Sequence, residues 1–414
     1  MVVAACSCGA PRRRDDGAMT APGRGPARSR EAWLSVAACG VLLAGLVAVD
    51  MPNPALPAIV AGLDTTQAAM KQLVALYLLA LAAAQPVYGR CSDRHGRRPA
   101  LLLGLALATV GLAASAAAGS IGQLRAARVL TACGAAACTV SSRALLVDAL
   151  AGTAALRRGF AGFTMASQLS PALAPLLGSA LLACCGWRAI FAALAATSAL
   201  VLLGVALMLP ETHPHATHAA DGGTAAAYRR LLGDTRFVVH SVAAALIMSF
   251  TQGFYTMAPY AFAALGYSPQ VNAACYALYA AAVLGGSWAI MRLPAPTPLA
   301  YPAAAGALVA TTAAAAWLGV DRELWRIALF ALLLGACCGV AAPLAMSASL
   351  GSIGRDRGAA SALQGTIKIG GAGACLLAFG AVDVDGFGVA AQVLFGFAVA
   401  LLALLLGSAA AARR

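Results

Sequence analysis

The chain has 414 residues, of which 61% are hydrophobic and 10% charged, with a mean hydropathy of +0.82. A water-soluble domain carries about 25% charged residues, so a soluble enzyme is excluded, and the long unalternating apolar runs exclude a β-barrel. The net charge of +13, from 28 basic and 15 acidic residues, would point to nucleic acid in a soluble protein; here it fits arginines in cytoplasmic loops, and no nucleic-acid partner is expected.

Residues 1–31 are rich in Arg, Gly, Pro and Ala and hold no run long enough to span a bilayer. They are expected to be a disordered cytoplasmic tail, with Met19 a second candidate start. A spanning helix needs about 20 apolar residues to cross about 30 Å of hydrocarbon. Six such segments follow, at 33–51, 69–88, 100–118, 122–147, 160–183 and 188–209. A polar stretch at 210–235 comes next, and then six more segments at 237–263, 270–291, 299–318, 324–346, 358–380 and 387–411. The pattern predicts an all-α membrane protein of twelve transmembrane helices. Its two six-helix halves are 32–209 and 236–414, joined by a cytoplasmic linker over 210–235. Twenty basic residues fall on the side of the termini and the linker, against Lys71, Arg125, Arg188, Arg322 and Arg326 on the other. The positive-inside bias therefore places both termini in the cytoplasm.

The twelve cysteines lie mostly inside apolar runs, where free cysteine packs as a small hydrophobe. The only lysines are Lys71 and Lys368, and neither follows a glycine, so no phosphate-binding loop of the G-x-x-x-x-G-K-[ST] type is present. Uphill movement would draw on an ion gradient or a partner. There is no H-E-x-x-H zinc motif among the three glutamates (Glu31, Glu211 and Glu323) and no G-x-S-x-G elbow. No enzymatic activity and no cofactor is expected. His213, His215 and His218 sit with Glu211 in a proline-interrupted linker, a poor preorganised frame, so no metal site is expected either.

Four segments carry candidate chemistry. The loop Gly89–Pro99 combines glycine turns, one acid (Asp93) and four arginines (Arg90, Arg94, Arg97 and Arg98), with Gly96 between them. Asp50-Met51-Pro52-Asn53-Pro54-Ala55-Leu56-Pro57 closes the first apolar segment. An acid facing an apolar cavity is a group that can take up and release a proton there, and an interfacial acid is the plainer alternative. Arg128 lies inside the fourth segment, where a cation must face a cavity or a partner. The fifth segment holds Pro171, Pro175 and Gly178; prolines inside a helix remove hydrogen bonds and kink it.

Together these segments resemble the major facilitator superfamily. Gly89–Pro99 is similar to its signature loop, G-x-x-x-D-R-x-G-R-R. The Asp50 segment is similar to D-M-x-x-P-A-L-P of the drug/proton antiporter branch, and more closely to the Bcr/CflA drug-resistance exporters. Arg128 matches R-x-x-x-G with Ala132 replacing the glycine, and Ala174–Ser179 matches the antiporter motif G-P-x-x-G-G. Pro52-Asn53-Pro54 and Lys368 depart from the usual pattern. The resemblance implies the major facilitator fold and proton-coupled export of small amphipathic compounds or drugs across a bacterial inner membrane. The partners would then be a small-molecule substrate, protons and the lipid bilayer, with the protein a monomer. It implies that Asp50 and Arg128 couple the proton. It also implies that Gly89, Asp93, Arg94, Gly96, Arg97, Arg98 and Asp148 form a cytoplasmic gate, with Asp93 locking against a helix of the other half and Asp148 partnering the arginines. Tyr77, Tyr255 and Lys368 are candidates for the substrate cavity. Lys368, about one turn into its helix, either snorkels to the cytoplasmic face or faces the cavity and binds an anionic group. Export of one specific metabolite, and a non-transporting sensor with a decayed transporter fold, are the alternatives.

Overall fold

The computed structural model describes residues 26–150, 170–171, 173–211, 223–292, 300–350, 357–379, 382 and 386–411. Every regular element among them is helical. The long helices are α1 (Pro26–Asp50), α3 (Gln67–His95), α4 (Arg97–Ala116), α5 (Ile121–Leu150) and α7 (Trp187–Met208), with the shorter α2 (Leu56–Gly62) and α6 (Leu173–Cys185). After the linker come α8 (Gly223–Gly233), α9 (Thr235–Ala264), α10 (Pro269–Arg292), α11 (Ala300–Trp317), α12 (Leu324–Leu350), α13 (Arg357–Phe379) and α14 (Phe387–Ala411). Eight of the described helical stretches are long and apolar enough to cross a membrane.

Three differences from the expected segments matter. The first helix begins at Pro26 rather than near 33, with proline in the first turn, where its missing N–H costs nothing. More consequentially, the first apolar stretch does not end at residue 51. After a short 3₁₀ turn, Asn53–Ala55, the chain continues as α2, so the span runs over Val36–Gly62. The linker is also not wholly irregular: it contains α8, whose Leu231 packs with Phe237, Ala360 and Leu363. The three linker histidines lie outside the described residues.

In the first half α5 is central and packs on α1, α3 and α4; in the second, α9 packs on α12, α13 and α14. Lipid offers no hydrophobic drive for helix association, so close backbone approach does the work. At the α4–α5 crossing a Cβ on Gly104 would lie 2.9 Å from the Gly134 carbonyl. Some helix starts carry side-chain caps. Thr66 Oγ1 accepts from Ala69 N at 3.1 Å, and Asp234 Oδ1 accepts from Arg236 N at 2.9 Å. Asp321, in the turn after α11, accepts from Phe387 N and Gly388 N at the start of α14, at 2.6 and 2.9 Å.

Contacts between the two sets of helices join α3 to α13, and the α1–α2 turn with α2 to α9 and α10. At the Lys71 end of the bundle Lys71 is fully buried. It donates to the Val382 carbonyl and lies 5.8 Å from the Tyr260 ring centroid. Ser179 Oγ, on α6, donates to the Pro269 carbonyl at 3.0 Å. The two sets of helices therefore touch at this end. Charge counting along the sequence places Lys71 only on the side away from the termini, with no partner named for it.

Candidate functional site

The site grows out of the interruption between α1 and α2. In a continuous helix the Ala48 carbonyl accepts from the N–H of residue 52, but Pro52 has none. Regular bonding runs as far as Met51 N to Val47 O, at 3.0 Å, and then tightens to Ala55 N on the Pro52 carbonyl, also 3.0 Å. A carbonyl left bare inside a membrane costs several kcal/mol. Arg128 from α5 supplies the missing donor: its Nη1 lies 3.0 Å from the Ala48 carbonyl. The guanidinium, 5% exposed, is sandwiched by aromatic rings, with Tyr77 at 4.2 Å and Phe191 at 5.7 Å from its central carbon. Desolvated contacts of this kind are worth about 2 kcal/mol.

Asp50 stands at the last residue of α1, midway along the span Val36–Gly62 and 6% exposed. The helix end on which it rests is internal to that apolar stretch. Its carboxylate accepts from Ser170 Oγ at 2.7 Å, and no basic side chain pairs with it among the described residues. Arg128 is committed to the backbone of the same segment instead. Tyr77 and Tyr255 both lie within electrostatic reach of Asp50. Pro52, Asn53, Leu56, Tyr77, Arg128 and Phe191 line a cavity of ≈ 20 Å³, room for about one water molecule. The Tyr77 hydroxyl is buried with no hydrogen-bond partner among the described residues.

The fifth-segment motif packs against the same interruption. A Cβ at Gly178 would fall on the Met51 carbonyl, so only glycine lets α6 approach the broken turn. Pro175 is buried beside Gly178 and Pro171 is half-buried next to Ser170. Tyr255 is instead part of an aromatic cluster in the second half, 4.7 Å from Tyr276 and 5.4 Å from Tyr279 between ring centroids, and does not line the cavity. Lys368 is half-buried eleven residues beyond the start of α13, about three turns in. The one-turn placement is corrected, and this depth disfavours snorkelling to the helix start.

At the opposite end of the bundle, most of the expected loop is helix. Gly89, Asp93 and Arg94 belong to α3, and only Gly96, with φ +100°, breaks the chain before α4. The side chains of Asp93 and Asp148 lie outside the described residues. The acid that meets this segment is Glu211, just after α7. It accepts from Arg97 N at 2.9 Å and Arg98 N at 3.1 Å, a carboxylate cap on the positive end of α4. Arg97 Nη1 donates to Ser92 Oγ at 3.1 Å and Arg98 Nη2 to the Ala206 carbonyl at 2.6 Å. Sequence reading missed Glu211, Ser170 and Phe191 as partners. Only the rarity of glutamate hinted at the first.

The site is a broken membrane-length helix with a buried acid on a hydroxyl and a buried arginine on the backbone beside it. The family model described as Major Facilitator Superfamily matches residues 37–374, and the chain belongs to that superfamily. Membership implies a multi-pass membrane transporter with a small-molecule substrate. Over 156 residues the chain is 40% identical to a chloramphenicol resistance protein of Pseudomonas aeruginosa, covering 36% of each. Over 193 residues it is 30% identical to multidrug resistance protein D of Escherichia coli (strain K12), covering 47% of this chain and 48% of that one. These matches are consistent with the drug/proton antiporter branch, and the chain spans about a third to a half of the length of these relatives. Among solved structures, a bacterial homologue of the human lysosomal transporter Spinster, inward-facing and occupied, superposes with a TM-score of 0.71 at 17% identity, covering 94% of this chain and 96% of that one. The D-xylose–proton symporter superposes with a TM-score of 0.70 at 17% identity, covering 90% and 96%. At that identity the likeness shows the fold.

Proposed function

We propose that the protein is a proton-coupled antiporter that exports small amphipathic organic compounds across a bacterial inner membrane by alternating access. In this reading it acts as a monomer, with two six-helix halves and both termini in the cytoplasm. The observation that carries the reading is Asp50. It is an acid at the middle of a span, bonded to a hydroxyl rather than to a cation. An unpaired charge there is costly, and binding a proton removes it. Arg128 holds the broken turn and faces the same cavity as Tyr77, so a substrate entering there meets the aromatic and cationic groups beside the proton site. The Gly96 end, with Glu211 seated on α4, would be the cytoplasmic side.

The test is proton flux in proteoliposomes holding the purified protein. A pH gradient is imposed and followed with a pH dye while a panel of drugs is added, with Asp50→Asn alongside. Drug-triggered proton release that disappears in Asp50→Asn is the expected result. Release that persists in the variant moves the proton site elsewhere, and absence of release with every compound overturns antiport of drugs.

A further inference from the structure

Where the two sets of helices touch at the Lys71 end, polar atoms are buried that the contact does not satisfy. Tyr260, on α9, is 3% exposed, and its ring centroid lies 5.8 Å from Lys71 Nζ of α3. Its hydroxyl has no hydrogen-bond partner among the described residues. Asn272, on α10, is 1% exposed, and neither its Oδ1 nor its Nδ2 makes a hydrogen bond of ordinary geometry among the described residues. It stands one turn after Pro269, whose carbonyl accepts from Ser179 Oγ of α6.

Tyr276 ties these two residues together. It lies one turn beyond Asn272, on the same face of α10. It is fully buried, and Asn272 and Tyr260 both act on its hydroxyl. That hydroxyl donates to the Tyr255 carbonyl, so its single proton is used. The Asn272 Nδ2 can at most approach the phenol oxygen, and Oδ1 is left with no donor. Further along α10 the hydroxyl of Tyr279 does find a partner, Thr251 Oγ1 of α9 at 2.8 Å. The unmet atoms are those beside the bonds to α3 and α6. Buried polar atoms almost always have partners, and one that lacks a partner bears the full penalty of its desolvation. Water removes that penalty, and parting of the helices at this end admits water.

We propose that Asn272 and Tyr260 form a release built into the contact between the two sets of helices. The contact buries their polar atoms unmet, which favours its parting, and hydration of the same atoms stabilises the parted arrangement. This rests on the alternating-access part of the reading above, and it names two residues that set how readily one end opens.

The test is amide hydrogen exchange of the full chain in lipid nanodiscs, read over 67–75 and 269–276 at the Lys71 end and over 89–98 at the Gly96 end. Leucine fills nearly the same space as asparagine without a polar atom. Asn272→Leu should therefore slow exchange at the Lys71 end by about tenfold and leave the Gly96 end no slower. Tyr260→Phe removes one hydroxyl and should act in the same direction by a smaller factor; it supplies the test if Asn272→Leu does not fold. Exchange at the Lys71 end that is unchanged or faster in both variants overturns the release. Slowing of equal size at both ends also overturns it, because that reports general stability. Drug-triggered proton flux separates the two readings. Flux in the wild type, with exchange that ignores both substitutions, removes the release and leaves antiport standing. No flux with any compound, with the expected slowing at the Lys71 end, does the reverse.

Discussion

Pro52→Ala isolates the bond that organises the site. Residue 52 has φ −75° and ψ −14°, a helical conformation that alanine adopts without strain, so the substitution returns one backbone N–H opposite the Ala48 carbonyl. In the wild type, Arg128→Ala removes two terms: the contacts with Tyr77 and Phe191, about 2 kcal/mol, and the donor to Ala48, whose loss strands a buried carbonyl at about 1–3 kcal/mol. In the Pro52→Ala background the first term is still lost, but the backbone now serves Ala48. The aromatic term appears on both sides of the cycle and cancels, which leaves a coupling energy of about 1–3 kcal/mol.

The assay is unfolding of the four proteins in mixed micelles, followed by intrinsic tryptophan fluorescence. Arg128→Ala should be markedly less damaging when Pro52 is already alanine. Additivity within about 0.5 kcal/mol would refute the account, since it would mean that the guanidinium is not the donor that replaces the missing N–H. Proton flux on the same variants adds a functional readout. Pro52→Ala alone should melt no earlier than the wild type and yet transport less, because the guanidinium loses its anchor beside Asp50.

Two more substitutions probe the elements that meet at either end. Gly178→Val places a side chain on the Met51 carbonyl and should cost about 1–3 kcal/mol with a loss of flux; unchanged melting would show that α6 does not approach the turn so closely. Glu211→Ala uncaps α4 and should cost about 1–2 kcal/mol, visible as faster hydrogen exchange at the Arg97 and Arg98 amides, and protection equal to wild type would show that another group caps the helix. Asp50→Asn, argued above, completes the set.

The helices were legible because a spanning segment must be a run of apolar residues of fixed length, and most expected boundaries fall within a few residues of those observed. What the sequence concealed was what happens at Pro52-Asn53-Pro54. Two prolines in three residues end a helix in water, and the apolar run read from the sequence stops at residue 51. In the membrane the chain resumes as α2, because a side chain 80 positions away supplies the donor that Pro52 withholds. The same reason hid Lys71, whose burial depends on Val382, 311 positions away, and Glu211, whose partners lie over a hundred positions back. Local pattern reports length and polarity; it does not report which distant group completes a bond.

Three motifs that look independent along the chain have one structural cause. The interruption at Pro52 frees the Ala48 carbonyl, and this fixes where a donor must come in: Arg128. The tightened turn exposes the Met51 carbonyl to α6, and this fixes where a side chain is forbidden: Gly178. With α6 seated there, Ser170 near its start reaches Asp50 at 2.7 Å, and this gives the acid a partner that cannot neutralise it. A change at residue 52 therefore reaches Asp50 by two routes, through α5 and through α6. A change at Asp50 alone leaves the backbone arrangement intact. That asymmetry makes Asp50→Asn the cleaner probe of the proposed proton coupling and Pro52→Ala the cleaner probe of how the site is built.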